Sequence, residues 1–310
     1  NALSCAYAFI LFLPIFTVNH PINAMRKITP LLILLLGMLS CKERNESASA
    51  DETISVGSIE RLDPALDKLI DPKARIEVLS DGYDWSEGPL WIESEKMLLF
   101  SDVPANTVYQ WTEADSVKVY LQPSGYTGET ASNRKEPGSN GLALNSQGQL
   151  ILCQHGDRRL AAMEAPLNAP QSTFSTLAGT YDGKKFNSPN DVAIRQNGDY
   201  FFTDPPYGLP KQDDDPEQDL PFNGVFKMSD GKVEVVIKDL TRPNGIAFSP
   251  DGKLLVSVAK DGTIRLWDTK RCRELWALTD QQRWTNTVAF SPDCRWIAMA
   301  GGDGTIKLLG

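Results

Sequence analysis

The chain has 310 residues, 41% hydrophobic and 23% charged, with a formal net charge of −9 at neutral pH. That length suits one large β domain or two average ones, with ample material for a core. The first forty residues contribute the bases Arg26 and Lys27 and no acid, so the remainder is more acidic still; such a body excludes a nucleic-acid-binding role, which needs clustered Lys and Arg.

Residues 1–24 begin with Asn and carry an apolar run, Ala6 to Val18, broken by Pro14. They read as translated sequence upstream of the true start, with a membrane hairpin as the alternative. Met25-Arg26-Lys27 then leads through apolar Ile28 to Leu39 into Ser40-Cys41, the layout of a signal peptide over 25–40. The apolar run is shorter than the roughly twenty residues of a membrane-spanning helix. Cys41, directly after the cut, resembles the lipidated first residue of bacterial lipoproteins. Lys42 points by the same resemblance to the outer membrane. The expectation is a lipid-anchored protein of the bacterial cell envelope, at the outer membrane or facing the periplasm, touching the membrane through its anchor only. A plain signal peptide cut nearby is the alternative.

Residues 41–61 are polar, lack an apolar period and read as a disordered tether. Asp63 as N-cap, Pro64 in the first turn, and Leu62, Leu66 and Leu69 on one side predict a short helix. Beyond the leader the cysteines are Cys153, Cys272 and Cys294, an odd number that implies no disulfide framework. The one histidine there is His155, which argues against a multi-histidine zinc or copper site.

A repeat organises the rest. Glu87-Gly-Pro-Leu-Trp91, Asn140-Gly-Leu-Ala-Leu144, Asn190-Asp-Val-Ala-Ile194, Asn244-Gly-Ile-Ala-Phe248 and Asn286-Thr-Val-Ala-Phe290 each open on an oxygen-bearing side chain and continue as an apolar strand. The last four run into a turn at Gly148, Gly198, Gly252 or Cys294 and then a second strand. A period of about 50 residues filled with short strands predicts an all-β fold, a β-propeller with one four-stranded blade per repeat and about five blades visible. If the repeated segment is each blade's inner strand, its first residue lies at one mouth of the central channel. Antiparallel pairing then returns the second strand to that mouth. Glu87, the four asparagines, and the loops holding Asp102, His155 and Asp204 would share one rim.

One carboxylate and several amide oxygens converging on an axis suit a hard divalent cation, calcium first, with zinc or manganese as alternatives. Asparagine also opens strands for a plainer reason, because it tolerates turn conformations and bonds its own backbone. Asp204 and Asp102 equally read as turn formers, and His155 as a loop histidine bonded to backbone.

The motifs "WSEGPLW", "SNGLALNSQGQLILCQHGDRRL", "FNSPNDVAIRQNGDYFFTDPPYGL" and "RPNGIAFSPDGKLL" resemble the gluconolactonase and regucalcin (senescence marker protein) family over about residues 59–255. The resemblance implies a six-bladed propeller that hydrolyses sugar lactones or related esters at a central divalent metal. It implies Glu87, Asn190 and Asn244 as metal ligands, and a substrate-binding place for Asn140 and His155. Rim placement adds Asp204 to the substrate-binding residues, and an imidazole pKa of about 6.5 makes His155 a candidate catalytic group. From about Ala259 the chain resembles WD-repeat proteins instead: "FSPDGKLLVSVAKDGTIRLWD" recurs as "FSPDCRWIAMAGGDGTIKLLG". The domain reading is therefore 62–258 as lactonase-like blades and 259–310 as WD-repeat-like. The family's fourth ligand, an aspartate that the resemblance also marks as a base, is filled by register by Asn286. That exchange lowers the ligand charge, weakens divalent-ion binding and removes a proton acceptor. The expected function is a metal-dependent lactone or ester hydrolase, impaired by that loss. The alternatives are a non-catalytic propeller that binds a protein partner through its WD-repeat-like end, or a truncated or chimeric product.

Overall fold

The computed structural model describes residues 55–61, 63–271, 273–279, 284–302 and 304–310. The leader, Cys41, Leu62, Cys272 and most of the expected tether lie outside these residues. Among the described residues no helix is long and apolar enough to cross a membrane.

Residues before 62 already make contacts. Ser55 bridges Glu77, and the Val56 amide donates to Ile76 O at 3.0 Å. Arg61 fastens the next turn through Asp67 and the carbonyls of Ile70 and Asp71. The expected helix is a single 3₁₀ stretch, Pro64–Lys68, whose N-cap Asp63 accepts from the Ala65 amide at 2.7 Å.

Five antiparallel sheets follow in chain order. The first is β1 (Ser86–Ile92), β2 (Met97–Asp102), β3 (Thr107–Thr112) and β4 (Ser116–Leu121). The second is β5 (Ser139–Leu144), β6 (Leu150–Gln154), β7 (Arg159–Met163) and β8 (Phe174–Ala178). A small hairpin, β9 (Thr180–Tyr181) and β10 (Lys184–Lys185), precedes the third: β11 (Val192–Ile194), β12 (Tyr200–Asp204), β13 (Gly224–Ser229) and β14 (Lys232–Ile237). The fourth is β15 (Pro243–Phe248), β16 (Leu254–Ala259), β17 (Thr263–Asp268) and β18 (Arg273–Thr279). The fifth has three strands, β19 (Thr285–Phe290), β20 (Ile297–Gly301) and β21 (Ile306–Leu309). This is the all-β propeller arrangement expected from the repeat, with five blades among the described residues where the six-bladed resemblance implied six.

Alternation along the strands holds the blades together. In β6, Leu150 and Leu152 face the first sheet, while Ile151 and Cys153 face the third. In β12, Phe202 packs toward the second sheet and Phe201 toward the fourth. In β16, Leu255 packs toward the third sheet, and Val256 and Val258 toward the fifth. A strand buried on both faces contributes to two cores at once, which is why β6, β12 and β16 read as nearly unbroken apolar runs. Four interfaces result, each between successive sheets. On the first sheet, Tyr83 stacks edge-on to Phe100 at 4.9 Å, beside Tyr109.

The turns between first and second strands sit in left-handed backbone at Gly148, Gly198, Gly252 and Cys294, where the repeat placed them. The opposite ends are crowded instead. A Cβ on Gly88 would lie 2.2 Å from Asn140 O, and one on Gly141 would lie 2.7 Å from Asn190 O. One on Gly245 would lie 2.9 Å from Asn286 O. The inner strands therefore touch backbone to backbone at the rim, and glycine is required there for space.

Gly88→Ala combines this clash with a φ of +56° and should destabilise the full chain by about 3 kcal/mol. Gly148→Asn, at φ +75° with nothing within 4 Å, should stay within about 1 kcal/mol of the parent. Equilibrium denaturation checks the contrast; equal effects would mean that the inner strands are not in contact.

Candidate functional site

The residues that open the repeats form a chain of contacts around one mouth of the channel. Gly88, after Glu87, abuts Asn140; Gly141, after Asn140, donates its amide to Asn190 O at 2.7 Å. Thr203, paired across from Asn190, donates its hydroxyl to Asn244 O at 2.7 Å. Gly245, after Asn244, abuts Asn286. Pairing shifts register just past the leading residue in β1, β5, β15 and β19, so each of these inner strands bends where its polar side chain emerges. The second strands return to the same mouth: Glu87 stands opposite Ser101, and Ser139 opposite Gln154. The structure thus brings Glu87, Asn140, Asn190, Asn244 and Asn286 onto one rim, with Asp102, His155 and Asp204 at the returning strand ends.

Two of those strand ends are clasps. Asp102 accepts from the Asp84 and Trp85 amides at 3.3 and 3.1 Å, just before Glu87. Asp204 accepts from the Asn187 and Ser188 amides, both at 2.8 Å, just before Asn190. Both Asp204 oxygens hold the approach to Asn190. Burial pushes its carboxyl up to about 7, against those amides and Arg158.

Glu87 is half-buried and accepts from the Trp85 indole at 2.9 Å. Burial is the main cause lifting its carboxyl to about 7, and the charges of Asp191 and Glu136 push the same way. Asn140 and Asn190 are buried, and Asn190 Oδ1 has no hydrogen-bond partner. Asn244 is half-buried and hydrogen-bonded to the Tyr207 hydroxyl, whose pKa burial raises. His155 is fully buried behind Asn190, its Nε2 3.5 Å from Asn190 Nδ2.

Two rim residues escaped the sequence reading. Asp191 accepts from the Val192 amide at 2.8 Å and from the Ile246 amide at 3.0 Å, tying the third blade to the fourth. Burial lifts it to about 6. Its signal was present, since it replaces the glycine that follows the leading residue at Gly88, Gly141 and Gly245. Glu136, 3.5 Å from His155 Nδ1, lies in an irregular loop outside the repeat and carried no signal.

Among the described residues no group of three or more His, Cys, Asp or Glu side chains could hold a metal ion. Any ion on this rim depends on amide oxygens. The donors present fit a hard cation: a carboxylate whose charge is poorly solvated, and a buried Asn190 Oδ1 with nothing to accept from.

Comparison with known proteins finds two family matches along the chain. The family model described as SMP-30/Gluconolactonase/LRE-like region matches residues 85–267, spanning β1 to β17. That described as WD domain, G-beta repeat matches 273–308, spanning β18 to β21. A gluconolactonase of Zymomonas mobilis is 38% identical over 216 residues, 69% of this chain and 60% of that protein. The chain thus spans less than two thirds of that curated relative. A solved gluconolactonase of Xanthomonas campestris superposes with a TM-score of 0.53 at 24% identity, covering 79% of this chain and 92% of that one. A calcium-binding regucalcin of Agrobacterium tumefaciens does so with a TM-score of 0.50 at 13% identity, covering 74% and 75%. At those identities the two structures speak for the fold alone. The family match covers more than half of the sequence, and the chain belongs to the SMP-30/gluconolactonase/LRE-like family.

Proposed function

We propose that the chain is a metal-dependent hydrolase of sugar lactones or related esters, acting at this rim. The observation that carries the reading is the unbroken chain of contacts from Glu87 through Asn140, Asn190 and Asn244 to Asn286, backbone to backbone except between Asn190 and Asn244, where the Thr203 hydroxyl makes the link; it puts one carboxylate and four amides in a common register. Family membership and the gluconolactonase relative support the lactonase chemistry.

Glu87, Asn190 and Asn244 would hold a divalent ion, calcium first with zinc or manganese as alternatives, and Asn286 would be the fourth ligand. Bound there, the ion would supply Lewis-acid polarisation of the lactone carbonyl and acidify an attacking water. The protein contributes the frame. Asp102 and Asp204 fix the backbone entering Glu87 and Asn190, and the Tyr207 hydroxyl stands beside Asn244 as a partner for a sugar hydroxyl. Asn286 stands where the family resemblance calls for aspartate, so the site has one carboxylate fewer and no side chain there to take a proton.

A second reading has its own support. The WD-repeat match covers a part of the chain whose strand β18 is exposed along its whole length, Leu275, Trp276 and Leu278 included. A protein partner would bind through that end. The leader supports placing the chain in the bacterial cell envelope, with Cys41 as the lipidated residue.

Calorimetric titration of the full chain with calcium should show one site, lost in Glu87→Gln; no binding of calcium, zinc or manganese to the parent would end the metal reading. The pH dependence has a definite sign. Glu87 rises from 4.5 to about 7 in the folded chain, so protons compete with the ion and calcium affinity should fall about tenfold per unit below pH 7. Without the ion, the same shift lets the folded state bind more protons than the unfolded, so stability falls as pH rises from 4.5 towards 7. Asn286→Asp should tighten calcium binding about tenfold or more and raise gluconolactone turnover; no change in either would mean that Asn286 does not face the site.

A further inference from the structure

Two buried polar atoms at the rim remain unpaired. Asn190, 2% exposed, has no partner at Oδ1. His155, fully buried, has none at Nδ1, although Glu136 Oε2 stands 3.5 Å away, off hydrogen-bond geometry. Interiors rarely leave such atoms unsatisfied without a use for them. The two residues meet at their other ends, Asn190 Nδ2 facing His155 Nε2 at 3.5 Å.

The imidazole cannot move far. A Cβ on Gly208 would come within 2.8 Å of His155 Cβ, and the His155 amide donates to Gly138 O at 3.1 Å. Glu136 is the adjustable member, a loop residue whose side chain is 30% exposed. A small swing seats it on Nδ1.

A neutral imidazole carries its proton on one nitrogen, and that choice is set by the partner of the other. With the proton on Nδ1, Nε2 is an acceptor and takes a hydrogen from Asn190 Nδ2, leaving Oδ1 turned away from the ring. With the proton on Nε2, the ring donates and draws Oδ1 towards itself, bringing Nδ2 round to the rim. Only the oxygen of an amide can ligate a hard cation, so the tautomer decides whether Asn190 can be a ligand.

We propose that Glu136 is a positioning residue: its carboxylate accepts a hydrogen bond from Nδ1–H of His155, and the ring fixes the Asn190 amide with Oδ1 presented to a divalent cation. Glu136 touches neither the ion nor the substrate. The cation half rests on the hydrolase reading; the tautomer half does not.

The test joins nitrogen NMR of the cation-free full chain, labelled at histidine and held at mildly alkaline pH, to calcium calorimetry. The chain has two histidines, His20 and His155, so assignment is direct. The parent should show the Nδ1–H form at His155. Glu136→Ala should lose that preference and bind calcium about ten- to a hundredfold more weakly. Glu136→Gln keeps an acceptor oxygen and should retain the tautomer and most of the affinity. An Nε2–H parent, or an alanine variant unchanged in both readouts, overturns the proposal. A tautomer change with calcium affinity preserved overturns the coupling to Asn190. A Glu136-dependent Nδ1–H form in a parent that binds no calcium upholds the positioning and defeats the hydrolase reading.

Discussion

Everything at the mouth of the channel follows from how closely the inner strands approach each other. Where Gly88 meets Asn140, Gly141 meets Asn190 and Gly245 meets Asn286, there is no room for even a methyl group. Side chains at these positions would push the blades apart and move the leading polar residues off the axis. Because these contacts are backbone to backbone, and the Thr203 hydroxyl and Asp191 carboxylate join the third blade to the fourth, the position of each leading residue is inherited from its neighbour. Five short sequences separated by long excursions are thereby held in one geometry.

That closeness has an electrostatic cost. Glu87, Asp191 and Asp204 are crowded into surroundings that solvate charge poorly, and burial is the leading cause of the rise in all three. The protein handles the three differently. Asp204 and Asp191 are met by backbone amides and serve as braces. Glu87 has the Trp85 indole and the Gly88 amide, but it alone of the three is also repelled by neighbouring acids, Asp191 and Glu136. The least compensated carboxylate therefore lies on the rim itself, where an external positive charge would bring the greatest relief.

Much of this was legible in the sequence, because repeats encode geometry by register. Blade order, inner strands, the left-handed turns at Gly148, Gly198 and Gly252, and even Cys294 standing in for glycine, could be read from aligned segments. So could the shared rim. Among the described residues there are five blades where the resemblance implies six; the match to the family ends within the fourth sheet, and a WD-type repeat follows it. Asp191 was missed because it breaks the Asn-Gly pattern while preserving what that pattern does: it ties two blades with a carboxylate where the others use bare backbone. Glu136 could not be found, since its place near His155 depends on the path of an irregular loop. In the sequence Asp102 and Asp204 look like turn formers; in the fold both clasp the chain just upstream of a rim residue.

The serial arrangement of the four apolar interfaces has a consequence for motion. An inner sheet is gripped from two sides, whereas the fifth sheet shares its one described interface with the fourth. The first sheet likewise shares one described interface, with the second. Resistance to local opening should fall off from the central sheets towards both ends, and amides of β19 to β21 should exchange with solvent before those of β6 or β12. Of the rim oxygens, those of Asn140 and Asn190 then belong to the stiffest part of the molecule and that of Asn286 to the softest. The ring of donors is anchored in its middle and free to breathe at its ends.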